Sequence, residues 1–335
     1  MPEPRLDVLA IGNAVVDIIA ATDDEFLTRE GLEKGSMRLI DAEEAMRLYD
    51  HMGPAREVSG GSAGNTAAGV AALGGRAGFI GQVAEDQLGE IYRHDIRGSG
   101  VEFETPAIDI GVATGRVMVL VTPDGQRTMN TFLGAAQHLP ADAIDPKQIE
   151  DAAILYLEGY LWDPEVPRRA MTQAIEIARA AGRKVAFTLS DSFCVDRHRD
   201  GFLQLIEGGF IDILFANEDE IVALTGAADL EAALTAVSPK VPVLVVTRSE
   251  KGALAIRDGE RVDVLAERVE RVVDTTGAGD LFAAGFLAGF ARGRPLGESL
   301  RIGAIAAAEI ISHYGARPEA DLQALVGERL GAAVS

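Results

Sequence analysis

Residues 274–280 read Asp-Thr-Thr-Gly-Ala-Gly-Asp (DTTGAGD) and run directly into LFAAGFLAGFARG at 281–293, where apolar residues recur at helical spacing. Gly277 and Gly279 let the backbone turn tightly and let a ligand approach the main chain with no Cβ in the way. The helix they open carries Phe282, Phe286 and Phe290 at i, i+4 and i+8, an apolar face for a core. The first amides of such a helix have no partner inside it, so those of Gly277, Ala278, Gly279 and Asp280 make a candidate anion site. A plain glycine-rich turn with Asp280 as a stabilising first-turn acid has the same appearance, and the stretch alone does not separate the two. Two better-known phosphate loops are excluded. No G-x-x-x-x-G-K-[ST] occurs, and Phe282 stands where G-x-G-x-x-G requires its third glycine.

Outward from this loop, short β-branched runs alternate with longer helical patterns. The spacing predicts strands near 6–11, 77–83, 153–158, 184–189, 212–215 and 242–247, with helices near 62–73, 86–97, 166–181, 218–224, 278–291 and 297–312. That alternation is the pattern of an α/β fold with a mostly parallel sheet covered by helices on both faces. The run VLVVT at 243–247 is apolar at nearly every position, as a strand buried on both faces should be. Residues 12–41 and roughly 101–133 break the rhythm: they hold short strand-like pieces joined by turn residues such as PDGQ, and neither contains a strong helical pattern. They predict a small β subdomain inserted into the α/β body. With no repeat and no Pro/Ser-rich linker, one cooperative unit over 1–335 is expected.

Composition limits the functions available. The chain has 335 residues and 47% hydrophobic content, ample for a core. Its longest apolar runs fall short of the roughly 18–20 residues that cross a bilayer. MPEPRLDVLAIGNAVVDIIA has neither the basic start nor the unbroken apolar stretch of a secretory leader, so a cytoplasmic location is expected. The single cysteine, Cys194, excludes an intrachain disulfide and a cysteine-based zinc cluster. His51, His94, His138, His198 and His313 lack metal-ligand spacing. A net charge of −21 opposes nucleic acid and anionic lipid as partners. If the ligand is an anion, backbone amides, helix N-termini, a few placed arginines and a divalent metal must hold it.

A second glycine-rich segment, GGSAGNTAAGVAALGG at 60–75, opens another small-residue helix, in which the Asn65 amide can donate and accept at once. A tight Ala/Gly helix packed on a sheet accounts for it equally well. Taken together, GGSAGN…GG…FIGQVAEDQLG at 60–89 and DTTGAGDLFAAGF at 274–286 resemble the two signatures of the ribokinase-like (PfkB) family of carbohydrate and nucleoside kinases, in the same order and separation. The resemblance runs from about residue 6 to 320. It implies a doubly wound α/β body with a small β-sheet lid from about 12–41 and 101–133. It also implies transfer of the ATP γ-phosphoryl to a hydroxyl, with Mg²⁺ and room for K⁺.

Residue by residue, the resemblance makes Asp280 the catalytic base and the amides of Gly277, Ala278 and Gly279 the receivers of charge on the transferred phosphoryl. A carboxylate at a helix N-terminus should have a lowered pKa; a weak base suffices where phosphoryl transfer needs orientation more than early deprotonation. Asp274 is expected at a monovalent cation site with Gly315 on its other wall. NEDE at 217–220 resembles the element in which Asn217 and Glu220 support nucleotide and magnesium through water, and the same residues read as a helix capping box. Thr247, Arg248 and Gly252 of TRSEKGALA resemble the nucleotide-binding turn, although Arg248 also reads as an ordinary surface residue.

For the acceptor, Asp17 in GNAVVDIIA resembles the substrate aspartate and joins Gly61 and Asn65 in a hydroxyl-reading cluster. GQRTMNTFLGAA at 125–136 resembles the lid strand of the family's adenosine kinase branch, with Arg127 reaching phosphate and Phe132 or Leu133 facing a base. Phe132 and Leu133 also read as core. The resemblance favours the 5′-hydroxyl of adenosine, giving AMP and ADP; ribose, fructose or 2-keto-3-deoxygluconate is the alternative. A carboxylate-bearing sugar would call for arginines in the pocket, and none lies beside Asp17 or Asn65 in sequence. A non-catalytic nucleotide or sugar sensor is the third reading, opposed by the retained Asp280. Both monomer and homodimer suit the family.

Overall fold

The computed structural model describes residues 3–331. In chain order the strands are β1 (Leu6–Ile11), β2 (Val15–Ala21), β3 (Met37–Leu39), β4 (Ala55–Ser59), β5 (Ala77–Ile80), β6 (Val101–Glu102) and β7 (Gly115–Val121). They continue with β8 (Arg127–Phe132), β9 (Ala152–Glu158), β10 (Lys184–Thr188), β11 (Ile213–Asn217), β12 (Val243–Thr247), β13 (Ala253–Arg257) and β14 (Glu260–Val264).

Nine of them form one sheet in the order β14-β13-β12-β11-β10-β9-β1-β5-β6, parallel except near one edge, where β13 runs antiparallel to both β12 and β14. From β1 the chain steps to β5 and β6 on one side, then returns to β9 and moves outward through β10, β11 and β12. This is a doubly wound α/β fold whose strand order reverses between β1 and β9.

The two core layers follow from strand alternation. Val8 and Ala10, Ile154 and Tyr156, and Val243 and Val245 face one helical layer; Leu9 and Ile11, Leu155 and Leu157, and Leu244 and Val246 face the other. The first layer takes Ala67 and Val70 of helix Ser62–Ala72 and Phe282 and Phe286 of helix Ala278–Ala291. The second takes Met171 and Ile175 of helix Glu165–Ala180 and Phe202 of helix Ser192–Glu207. Among the described residues no helix is long and apolar enough to cross a membrane.

Helix Ala278–Ala291 packs against helix Leu296–Ile310 through glycines. A Cβ on Gly285 would lie 2.7 Å from the backbone of Gly303, and one on Gly303 would lie 2.7 Å from the Phe282 carbonyl. Backbone at that distance cannot yield as a flexible side chain can. Gly285→Ala should therefore lower the unfolding free energy by about 1–3 kcal/mol, as overpacking does. A urea titration of both proteins checks this, and an unshifted midpoint would refute the packing argument.

The second sheet has the order β3-β8-β7-β2-β4. Four of its strands come from 12–41 and 101–133; β4 lies outside both stretches, and β6 belongs to the large sheet. Contrary to the sequence expectation, 12–41 also holds a helix, Asp24–Glu30, capped by Asp23, whose carboxylate accepts from Phe26 N at 2.7 Å, and ended by Gly31 in the left-handed conformation. It was overlooked because it has only seven residues. The antiparallel edge hairpin and the helices Ala42–His51, Ser192–Glu207, Leu230–Val237 and Leu322–Gly331 were also not anticipated.

Candidate active site

A cleft of about 740 Å³ opens where the carboxyl ends of the large-sheet strands meet the inner face of the small sheet. It sits at the reversal between β1 and β9, the place where open α/β sheets leave a crevice. Asn13, just beyond β1, and Glu158, closing β9, line it together with Asp17, Ser62, Asn65 and Asp280.

Two glycine-opened helices converge on Asp280. Gly277 caps helix Ala278–Ala291 at φ +79°, and a Cβ there would lie 2.9 Å from the Ala316 Cβ. Gly61 caps helix Ser62–Ala72 at φ +87°, where a Cβ would lie 2.0 Å from the Asn13 carbonyl. This convergence lets Ser62 Oγ donate to Asp280 Oδ1 at 2.6 Å and Asn65 Nδ2 donate to Oδ2 at 2.9 Å. Both carboxylate oxygens are thereby fixed. Among the described residues the amides of Gly277, Gly279 and Asp280 find no acceptor, whereas the Ala278 amide donates to the Thr275 carbonyl at 3.2 Å. The amides left free for an anion at this terminus are therefore those of Gly277, Gly279 and Asp280, not that of Ala278.

The expected depression of the Asp280 pKa is corrected. Burial raises it, outweighing donation from Ser62 and Asn65 and the charge of Arg317. The desolvation that accompanies the cleft wall wins over the helix terminus. Asp17 projects from β2 with the backbone of Gly60 against it, since a Cβ on Gly60 would meet its carboxylate at 2.6 Å. Burial raises its pKa to about 6, against the attraction of Arg317 and Arg127. Glu158, 1% exposed, accepts from Asn13 N, Asn13 Nδ2 and Ala63 N, each at 2.7 Å. Burial carries its pKa to about 7 despite those donors.

At the other end of the cleft, Asn217 and Glu220 line the wall and form the reciprocal capping box. Asn217 Nδ2 donates to Glu220 Oε1 at 2.7 Å and Asn217 N to Oε2 at 2.9 Å. Burial raises the Glu220 pKa to about 7. Thr247, ending β12, also lines the cleft, as do Gly61, Leu133, Gly277, Ala278 and Gly279.

Six anticipated residues do not line it. Arg248 lies 3.6 Å from Asp263 instead. Gly252 serves the turn into β13: at φ +92° its Cβ would lie 2.0 Å from the Val264 carbonyl. Phe132 packs beneath the Arg116 guanidinium, 5.8 Å from the ring centre. Arg127 pairs with Asp274, Nη2 to Oδ2 2.6 Å, with both side chains under one-tenth exposed, and its Nη1 lies 3.5 Å from Oγ1 of Thr276 in the cleft wall. Asp274 also accepts from Thr276 N and Gly315 N, each at 3.0 Å. A guanidinium thus occupies the carboxylate where the sequence reading expected a monovalent cation, and Gly315 contributes its amide.

Ser62, Glu158 and Arg317 are among the contributors that escaped the sequence reading. Ser62 lay inside the quoted GGSAGN, and Glu158 carried a usable signal, a lone acid closing the apolar run ILYLE. Arg317, which touches Asn65, carried none, because 252 residues separate the two.

A buried acid pinned by two side-chain donors, beside unpartnered helix amides in a covered cleft, is the equipment of a phosphotransferase acting on a hydroxyl group. Residues 7–322 match the model of the pfkB family carbohydrate kinases, and the chain belongs to that family. It is similar to the adenosine kinase of Saccharomyces cerevisiae, 26% identical over 330 residues covering 92% of this chain and 95% of that protein. Its structure superimposes on that of adenosine kinase from Sinorhizobium meliloti with a TM-score of 0.90 and 50% identity, covering 97% and 99% of the two chains. A probable sugar kinase from Rhizobium etli CFN 42 gives 0.91 and 47%, covering 98% and 99%. The protein is a sugar or nucleoside kinase, and its family implies ATP as co-substrate.

Proposed function

We propose that the protein transfers the γ-phosphoryl of MgATP to the 5′-hydroxyl of adenosine, giving AMP and ADP. The observation that carries this reading is the 50% identity, over 97% of the chain, to the adenosine kinase from Sinorhizobium meliloti. The cleft is consistent with it. The Asp17 carboxylate accepts hydrogen bonds from two vicinal ribose hydroxyls, a task suited to an anion with no donor engaged on it among the described residues.

The 5′-oxygen attacks the γ-phosphorus, its proton passes to Asp280, and the bond to the bridging oxygen of ADP breaks. Ser62 and Asn65 hold the Asp280 carboxylate still for that transfer. The amides of Gly277 and Gly279 take the charge spread over the phosphoryl oxygens. The small sheet acts as a lid, its inner residues Val15, Val117 and Met129 forming the roof that excludes water.

Among the described residues no group of three carboxylate, histidine or cysteine side chains could cage a metal. That fits Mg²⁺, which is held mainly by substrate phosphates and water with one or two carboxylates in support. Glu220 would orient that water, and Mg²⁺, when bound, would neutralise charge on the transferred phosphoryl. At Asp274, Arg127 already supplies positive charge, so activity in Na⁺ or K⁺ buffers should differ little.

A sugar acceptor is the second reading, favoured by the nearly equal likeness to the probable sugar kinase. Steady-state ADP release with MgATP and adenosine, ribose, fructose or 2-keto-3-deoxygluconate decides between them. Adenosine should give the largest kcat/KM by at least about 100-fold, the discrimination a site gains by pairing buried polar groups with its own substrate. A sugar in first place would overturn the acceptor assignment.

A further inference from the structure

Arg317 lies beyond helix Leu296–Ile310, outside every motif that suggested the function, and reaches into the junction of the two sheets. Its Nη1 donates to Asn65 Oδ1 at 2.8 Å and to the Gly64 carbonyl at 3.3 Å. Its Nη2 donates to the Ser59 carbonyl at 2.8 Å and to Ser59 Oγ at 2.9 Å. Ser59 closes β4, immediately before Gly60 and Gly61 lead into helix Ser62–Ala72, and its own N and Oγ donate to Asp95 Oδ2 at 2.8 and 2.6 Å. One guanidinium therefore ties the end of the small sheet to the helix that bears Asn65.

The Asn65 amide has two possible orientations. In the one seen, its oxygen faces the Arg317 guanidinium and its NH₂ faces the Asp280 carboxylate. Turned over, the NH₂ would face a cation and the oxygen an anion, two repulsive contacts in place of two charge-assisted hydrogen bonds. With Arg317 removed, one side of that preference disappears and Ser59 loses its link to the amide.

We propose that Arg317 is a positioning residue for the transfer step, fixing the Asn65 amide in the orientation that holds Asp280. Its guanidinium touches neither the reacting atoms nor the cleft surface. The inference rests on the reading of Asp280 as the proton acceptor but not on the identity of the hydroxyl substrate. Misplacement of a catalytic group by about 1 Å can cost roughly 100-fold in rate, so Arg317→Gln should lower kcat by about 10–100-fold with KM for ATP within about 2-fold. Arg317→Lys, whose ammonium can still meet Asn65 Oδ1, should recover most of that loss.

The test is a double-mutant cycle of Arg317→Gln with Asn65→Ala, using whichever acceptor the wild-type enzyme turns over, with melting curves of each variant. If Arg317 acts through Asn65, Arg317→Gln costs less than about 2-fold in the Asn65→Ala background. An equal loss in both backgrounds, or wild-type kcat in Arg317→Gln, would overturn the proposal. If Arg317→Gln does not fold, Arg317→Met, which likewise removes the donors to Asn65, is carried through the same cycle under the same criteria. If the wild-type protein turns over no acceptor, the reaction reading fails separately. A crystal structure of the folded variant then decides: an Asn65 amide still within hydrogen-bond distance of Asp280 overturns the proposal, and one swung away supports it.

Discussion

Asp280→Asn is expected to lower kcat by about 10²–10⁴-fold, the range supplied by a positioned general base. The substitution keeps the shape of the side chain and removes its charge and its capacity to take the proton. Ser62 can still donate to the remaining oxygen, while the new amide faces the Asn65 amide in place of a carboxylate. The charge lost is one that burial already disfavours, so the fold should tolerate the change. A rate measured at saturating ATP and acceptor, with a melting curve to show that the variant is folded, checks this. A kcat within about 3-fold of wild type would remove Asp280 from the chemistry. The pH dependence adds a second handle. The folded pKa lies above the ordinary aspartate value, and the ionised form is the active one, so kcat/KM is complete above that pKa and falls as pH drops through it. The acid limb should vanish from whatever residual rate Asp280→Asn retains.

Asp17→Asn should weaken the acceptor and spare ATP. Each hydrogen bond to a charged acceptor contributes about 1.5–3 kcal/mol, so replacing the carboxylate beneath two hydroxyls should raise KM for the acceptor by roughly 100-fold or more. With a pKa of about 6 the wild-type carboxylate is ionised at pH 7.5 and protonated at pH 5. KM for the acceptor should therefore climb as pH falls through about 6 in wild type and stay flat in the variant. Stability should move the opposite way. A carboxyl whose pKa is raised on folding holds its proton more tightly folded than unfolded, so it destabilises the fold once pH exceeds the unfolded value. Asp17→Asn should then melt at a higher temperature than wild type at pH 7.5. Weaker acceptor binding with a higher melting temperature is a combination that simple damage to the fold does not produce. Unchanged acceptor KM would show that Asp17 does not read the substrate.

The sequence disclosed what is local and periodic. The apolar strands β1, β9, β10, β11 and β12 were visible because burial on both faces demands unbroken apolar runs, and the helix after DTTGAGD because its phenylalanines recur every four residues. Glycines at 61 and 277 stood out for a reason the backbone makes plain, since both take positive φ where a Cβ would strike a neighbour. Contacts between distant segments were not legible. Nothing near Arg127 in sequence announces its pairing with Asp274, and the capture of Asn65 by Arg317 crosses the whole chain. The direction of the Asp280 shift was misjudged for a related reason. A helix terminus is readable from sequence, but desolvation depends on what the rest of the fold stacks around the carboxylate. The small sheet was foreseen in part: the strand β4 was missed because AREVS is short and half polar, and only pairing with β2 makes it a strand.

Product identity tests the central claim most directly. The enzyme incubated with MgATP and adenosine is followed by ³¹P nuclear magnetic resonance, with the Asp280→Asn protein alongside. The account predicts equimolar growth of ADP and of a 5′-phosphomonoester that co-elutes with AMP, absent on the same timescale from the variant. ADP accompanied by inorganic phosphate alone, or AMP formed equally fast by Asp280→Asn, would contradict it.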